Sequence, residues 1–174
     1  QPAIPDLVSM LAANNDRDAN LRHAGSLALA RIGDASPVVA LASHGSRGVR
    51  IAAIVALRRM RHPDVARFLS DADEQVVTEA ARAVNDDGAI AAALPALARV
   101  LDERRFASEP LLRRAINANL RLGTSDAAAR VAAFAADVSR PAAMRAEASA
   151  VLAAWQSPSP FDRVDGAYHG AAVR

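Results

Sequence analysis

Val49-Arg50-Ile51-Ala52-Ala53-Ile54-Val55-Ala56-Leu57-Arg58-Arg59-Met60 is the stretch on which the reading of this chain turns. Val49, Ala53, Ala56 and Leu57 stand at offsets 0, 4, 7 and 8, which fall on one face of a 3.6-residue helix. The phrase returns as Leu21-Arg22 with Gly25, Ala28 and Leu29, and as Val76-Val77 with Ala80, Ala83 and Val84. Two more copies begin at Leu112-Arg113 (with Leu120) and Met144-Arg145 (with Ala148, Val151 and Leu152). The anchors are 28, 27, 36 and 32 residues apart. Self-similarity at that period marks stacked helical repeats, in which each unit covers an apolar face its neighbour cannot bury alone. The expected fold is all-α, a right-handed α-solenoid of about five helical hairpins.

Working outward, the punctuation agrees. Gly33, Gly88 and Gly123 stand where first helices would end, a place for a left-handed residue. Pro37 and Pro63 stand where second helices would start, a first-turn position that proline tolerates. Second helices are expected over 37–43, 63–69, 89–101 and 125–135. Residues 4–13 read as a second helix without its partner, as though the chain began inside a longer array. Residues 103–110 are an insertion that explains the 36-residue interval. The domain expectation is a repeat domain over 1–156, with 157–174 as linker or irregular tail.

Composition supports helices and removes several chemistries. Hydrophobic residues make up 52% of the 174 and aromatics only 3%, with alanine about a quarter; alanine and leucine lose little on entering a helix. No apolar run reaches the roughly 18 residues of a membrane span, and no charged segment followed by an apolar core opens the chain as a signal peptide would. Cysteine is absent, which removes disulfides, thiolate catalysis, zinc–cysteine sites and c-type haem attachment from this stretch. All 21 basic residues are arginine, yet the net charge is only +2 because acids interleave, as in Asp16-Arg17-Asp18 and Asp102-Glu103-Arg104-Arg105. A nucleic-acid surface needs a clustered basic stripe, so nucleic acid is not the expected partner.

Candidate sites divide into structural and partner-facing groups. Arg22, Arg50, Arg113 and Arg145 occupy offset 1 in four of five repeats. Asp16, Asp18, Asp73 and Glu109 lie shortly upstream, so these arginines are expected to tie neighbouring repeats together through directional charge-assisted bonds. Asn117 and Asn119, poor residues for a helix interior, are expected to bridge carbonyls between repeats. Arg67, Arg99 and Arg130 lie on second helices and are the expected partner-binding residues. No catalytic, metal or cofactor-binding residue is read: His23, His44, His62 and His169 make no tight ligand spacing, and Ser43-His44 beside Asp71 lacks a nucleophile elbow. Gly45-Ser46-Arg47-Gly48 lacks the strand of a phosphate-binding loop. The single tryptophan, Trp155, is expected to close the open end of the core.

The Val49-Arg50-Ile51-Ala52-Ala53 … Leu57 phrase resembles the HEAT-like, or lyase-type, repeat family, over nearly all of 16–155. The resemblance implies a binding scaffold, with a chromophore lyase or a HEAT-like DNA glycosylase as the enzymatic alternative; one Trp and one Tyr argue against the base-cradling the latter needs. Val77 where Arg is expected and Gly48 where a polar residue is usual depart from the pattern. Residues 111–123, 80–86 and 158–166 also resemble the repeat region of large multidomain proteins of planctomycete-type bacteria, set between a sugar-dehydrogenase-like propeller and a c-type cytochrome domain. That narrower resemblance implies a periplasmic parent and a spacer or docking role, without cofactors in this chain. The expected partners are proteins or adjacent domains, with end-to-end self-association as a further expectation from the apolar ends.

Overall fold

The computed structural model describes residues 3–86 and 90–171. Every regular element among them is helical, and extended pairing is limited to one isolated bridge, Phe161 to Tyr168. No helix among the described residues is long and apolar enough to cross a membrane. The chain divides into two compact units, Gln1–Ala83 and Val84–Arg174.

The first unit opens with α1 (Ala3–Asn14), α2 (Ala19–Ile32) and α3 (Ala35–Ala40), the last running into a 3-10 turn at Leu41–Ser43. It continues through α4 (Arg47–Met60), a 3-10 segment Pro63–Ser70 and α5 (Glu74–Asn85), which runs across the unit boundary. Side-chain caps start these helices: Asp18 accepts the amides of Asn20 and Leu21, Asp34 accepts that of Ser36, and Ser46 accepts that of Val49. Each satisfies an amide that the first turn leaves without a partner. Gly33 ends α2 in the left-handed region, as its position predicts. Arg61 does the same for α4 at φ 53° without being glycine, a conformation that costs an L-residue roughly 1–2 kcal/mol.

Close approach of repeats explains the small residues. Gly25, at offset 4 on α2, lies so near α1 that an added Cβ would meet Leu11 Cδ2 at 2.7 Å. Gly48 lies against the turn at Asn15 and Asp16; a Cβ there would stand 3.1 Å from the Asp16 amide nitrogen. Asn15 and Asp16 are both left-handed, at φ 43° and 63°, which these side chains tolerate best after glycine. Asn14 locks the turn, its side chain accepting the Asp18 amide at 2.9 Å and donating to the Asp18 carbonyl at 3.0 Å. The core is Leu11, Leu29, Val49, Ile54, Leu57, Phe68 and Val76, all buried.

In the second unit a 3-10 turn (Ala91–Ala93), α6 (Leu94–Arg99) and a second turn (Val100–Asp102) make up the second element expected over 89–101. Gly88 and Ala89 lie outside the described residues. Then come α7 (Glu109–Leu122), α8 (Ser125–Ala136) and α9 (Ala142–Ala153). Gly123 ends α7 at φ 66° and Thr124 caps α8. The 103–110 insertion is a loop that seats Phe106 in the core at 2% exposure, followed by the first turn of α7. Trp155 is buried at the end of α9.

Residues 157–171 are an irregular segment that folds back on itself. They form a closed hairpin: the Asp162 amide donates to the Ala167 carbonyl at 2.8 Å, and the His169 amide to that of Pro160 at 2.8 Å. Its anchor is Asp162, whose side chain has no exposed surface.

Candidate functional site

The four anchor arginines make four different sets of contacts, all inside their own unit. Arg22 pairs with Asp16 at 2.6 Å. Arg50 is the most enclosed: its Nε stands 2.7 Å from Asp71 Oδ2, and another guanidinium nitrogen donates to the His44 carbonyl at 2.7 Å and to that of Gly45 at 3.2 Å. Arg113 pairs with Glu109 at 2.6 Å and reaches Glu147 on α9 at 3.4 Å. Arg145 donates to the Ala135 carbonyl at 2.9 Å, in the last turn of α8. Two of the upstream acids act otherwise. Asp18 caps α2, and Asp73 accepts from Arg47 and the Gln75 amide.

A fifth arginine had no place in the sequence argument. Arg140, 7% exposed, donates to the carbonyls of Leu101 and Glu103, both at 2.8 Å. Its guanidinium also lies 5.0 Å from the centre of the Phe134 ring. It thus supplies donors at the end of the Val100–Asp102 turn, where helical carbonyls have no intrahelical partner. Asp137 beside it is held below the usual carboxylate range by the hydroxyl and amide of Ser139, with Arg104 and Arg140 contributing.

Asn119 is fully buried. It donates to the Ala98 carbonyl at 3.0 Å and its own-helix Ala115 carbonyl at 2.8 Å, and accepts from Arg130 at 3.0 Å. Asn117 donates to Asn85 at 2.9 Å and to Asp162 at 2.7 Å, so one amide group ties the end of α5, α7 and the hairpin into a buried polar cluster. Arg114, also on α7, grips Asp86 with two nitrogens at 2.9 and 2.7 Å.

The three second-element arginines separate into two kinds. Arg130 is engaged internally: besides Asn119, it pairs with both Asp102 oxygens at 3.0 Å. A guanidinium held by a carboxylate and a buried amide has few donors left for a partner. Arg67 and Arg99 are both exposed. Neither guanidinium makes a hydrogen bond or ion pair with the described residues.

Chemistry is scarce elsewhere. His44 and His62 use Nδ1 to accept the amides of Ser46 and Asp64, and so act as turn caps. Ser43 donates to the Ala40 carbonyl and Asp71 faces Arg50, so Ser43, His44 and Asp71 form no relay. Asp162, Asp165 and His169 bring their ligand atoms within 4.8 Å of one another. The Asp162 carboxylate is already occupied, accepting the Val164 amide at 2.8 Å, the Asp165 amide at 3.2 Å and Asn117. The group is a hairpin lock with no spare buried donor atom aimed at an ion.

Among the described residues each unit carries a cleft. In the first, about 190 Å³ lies over Ile51 among Asp16, Arg22, Glu79 and Arg82. Its charges are paired two by two, Arg22 with Asp16 and Arg82 with Glu79, both at 2.6 Å. In the second, about 180 Å³ lies between α7 and the hairpin, walled by Leu120, Pro158, Pro160 and Phe161, with Arg121 and His169 also lining it.

Against known proteins, the family model described as HEAT repeats matches residues 4–85. No curated protein and no solved structure matches the chain. HEAT repeats generally mediate protein–protein interaction or scaffolding and are typically non-catalytic. With its serial helical hairpins and anchor phrases, the chain has an all-α fold of HEAT-like helical repeats.

Proposed function

We propose that the chain is a non-catalytic interaction module, a docking or spacer domain of a larger protein, that engages acidic protein surfaces through its second elements. One observation carries this reading. The phrases Val65-Ala66-Arg67-Phe68-Leu69 and Leu97-Ala98-Arg99-Val100-Leu101 match in sequence, and in each the residue two before the arginine and the two after it are buried while the arginine is exposed. The anchor arginines hold repeats together; Arg67 and Arg99 are left facing solvent. An unpaired arginine at a recurring position gives a planar donor fork suited to a partner's carboxylates. The narrower resemblance would make the parent an exported dehydrogenase–cytochrome fusion, and sequencing the flanking regions tests that context.

The test compares affinity capture by the wild-type chain and an Arg67→Ala/Arg99→Ala double variant, matched for thermal stability. Partners or flanking domains held by the wild type and lost by the variant support the assignment. An unchanged set of retained proteins refutes it.

A further inference from the structure

Helix α4 lies deep in the first unit, with Val49, Ile51, Ile54 and Leu57 among its buried residues. A histidine stands in the turn at each end of it. His44 precedes the helix, and its Nδ1 accepts the Ser46 amide at 3.1 Å. Ser46 in turn accepts the Val49 amide and so caps α4. His62 follows the helix, and its own amide donates to the Leu57 carbonyl at 3.0 Å. Its Nδ1 accepts the Asp64 amide at 3.3 Å, which starts the Pro63–Ser70 segment.

A backbone amide only donates, so both contacts need an Nδ1 with a free lone pair. That requires the neutral ring with its proton on Nε2. A protonated imidazole carries N–H on both nitrogens and sets donor against donor at the same place. Histidine is the side chain whose ordinary charge change falls between about pH 5 and 8.

The charges around the two turns make them unequal. Arg50 on α4 donates to the His44 carbonyl at 2.7 Å and to that of Gly45 at 3.2 Å. A second positive charge there also meets the positive end of the α4 dipole. The acids that reach this end are taken, Asp71 by Arg50 and Asp73 by Arg47. The Leu41–Ser43 turn and α3, packed beside it, contain no charged residue. His62 has Asp64 and Arg67 on its own segment, with Arg58, Arg59 and Arg61 at the end of α4. The carbonyl end of a helix favours a cation, which offsets part of the loss at His62.

We propose that His44 and His62 form a proton-sensitive clasp on α4: the neutral rings hold its two ends closed, and protonation on mild acidification opens them, the His44 end more than the His62 end. The stabilisation is complete at neutral pH and is lost as pH falls through the histidine range. Ordinary carboxylates are still ionised at about pH 5, so this loosening precedes general acid unfolding.

The experiment measures amide hydrogen exchange by NMR on the full chain at about pH 7.5 and about pH 5, either side of the histidine range. Rates are expressed as protection factors, which divide out the intrinsic pH dependence of exchange. Protection at Ser46 and Val49 should fall about fivefold on acidification, the worth of one lost cap, and by about twofold at Asp64. Val131, on α8 in the second unit, is the internal reference. In His44→Asn/His62→Asn the protection should stay level, because asparagine offers an amide two residues on an acceptor that does not titrate. That variant keeps His23 and His169, so it separates the clasp from the other histidines. Should the variant fail to fold, long-range proton–nitrogen correlation on the wild-type rings tests the same geometry, with Nδ1 unprotonated in both at neutral pH. Constant protection at Ser46 and Val49 in the wild type, an equal fall in the asparagine variant, or a proton on Nδ1 at neutral pH would overturn the proposal.

Discussion

Asp162→Ala is the perturbation that most directly probes how the hairpin is held. The carboxylate accepts from Asn117 at 2.7 Å and from the amides of Val164 and Asp165 at 2.8 and 3.2 Å. The two amides can turn to water if the hairpin opens, but Asn117 is 2% exposed and would keep only its bond to Asn85. A hydrogen bond to a charged group contributes about 1.5–3 kcal/mol, and removing one member of a buried charged set costs about 3–5 kcal/mol. The expected loss is therefore about 3 kcal/mol, or roughly 6–12 °C in melting temperature for a chain of this size. Urea denaturation followed by circular dichroism measures the first figure, and hydrogen exchange at Gly166, Ala167 and His169 shows whether the hairpin opens. Asp162→Asn should cost nearly as much, because an amide cannot accept on both sides of the group. Burial by itself would raise the Asp162 carboxyl, but the Val164 amide, Asn117, the Asp165 amide and Arg121 outweigh it and hold it below the usual carboxylate range. With the folded value lowered, its stabilisation is complete above the unfolded value near 3.9 and is lost as pH falls through the folded value. The gap between wild type and Asp162→Asn should accordingly narrow below about pH 4. A loss under about 1 kcal/mol with hairpin amides still protected would refute the reasoning, since it lies below the cost of a single such bond.

Other substitutions test the repeat contacts. Gly48→Ala should destabilise by about 1 kcal/mol, the crowding at Asp16 outweighing the gain in helix propensity. Gly45→Ala, whose Cβ would meet nothing within 4 Å, is the control in the same melts. Arg50→Ala should cost about 3 kcal/mol by leaving Asp71, 8% exposed in its side chain, without its main cation. Arg113→Ala should cost less than about 1 kcal/mol because Glu109 is well exposed; equal costs for the two would show that burial does not rank these ladders. Asn119→Ala should lose about 2 kcal/mol by orphaning the Ala98 carbonyl and loosening Arg130, seen as a shifted urea midpoint.

The helices were readable because their information is periodic. Val49, Ala53, Ala56 and Leu57 announce a buried face by spacing alone, and Gly33 and Gly123 announce stops by backbone conformation. What escaped is carried by single residues acting over long separations. Arg140 reaches carbonyls 37 and 39 residues earlier, and a carbonyl has no signature in a sequence. Asp162 follows Ser157-Pro158-Ser159-Pro160, which reads as linker or turn, and its structural value depends on an asparagine 45 residues away. Arg61 closes a helix where glycine was the natural expectation, so α4 ends without its usual marker. Helix position alone does not reveal that Asp102, 28 residues before Arg130, lies within its reach.

The distribution of aromatic residues gives the hairpin an optical signature of its own. The sole tryptophan lies buried at its root and the sole tyrosine stands exposed on it, while Gln1–Ala83 contains neither. Near-ultraviolet fluorescence of the unlabelled chain is therefore a local signal. Tyrosine-to-tryptophan energy transfer follows the hairpin's seating through the Tyr168–Trp155 separation, whereas far-ultraviolet circular dichroism follows all the helices. A difference between the two unfolding curves would time the release of residues 157–171 against the loss of the repeats, with no dye, tag or substitution introduced.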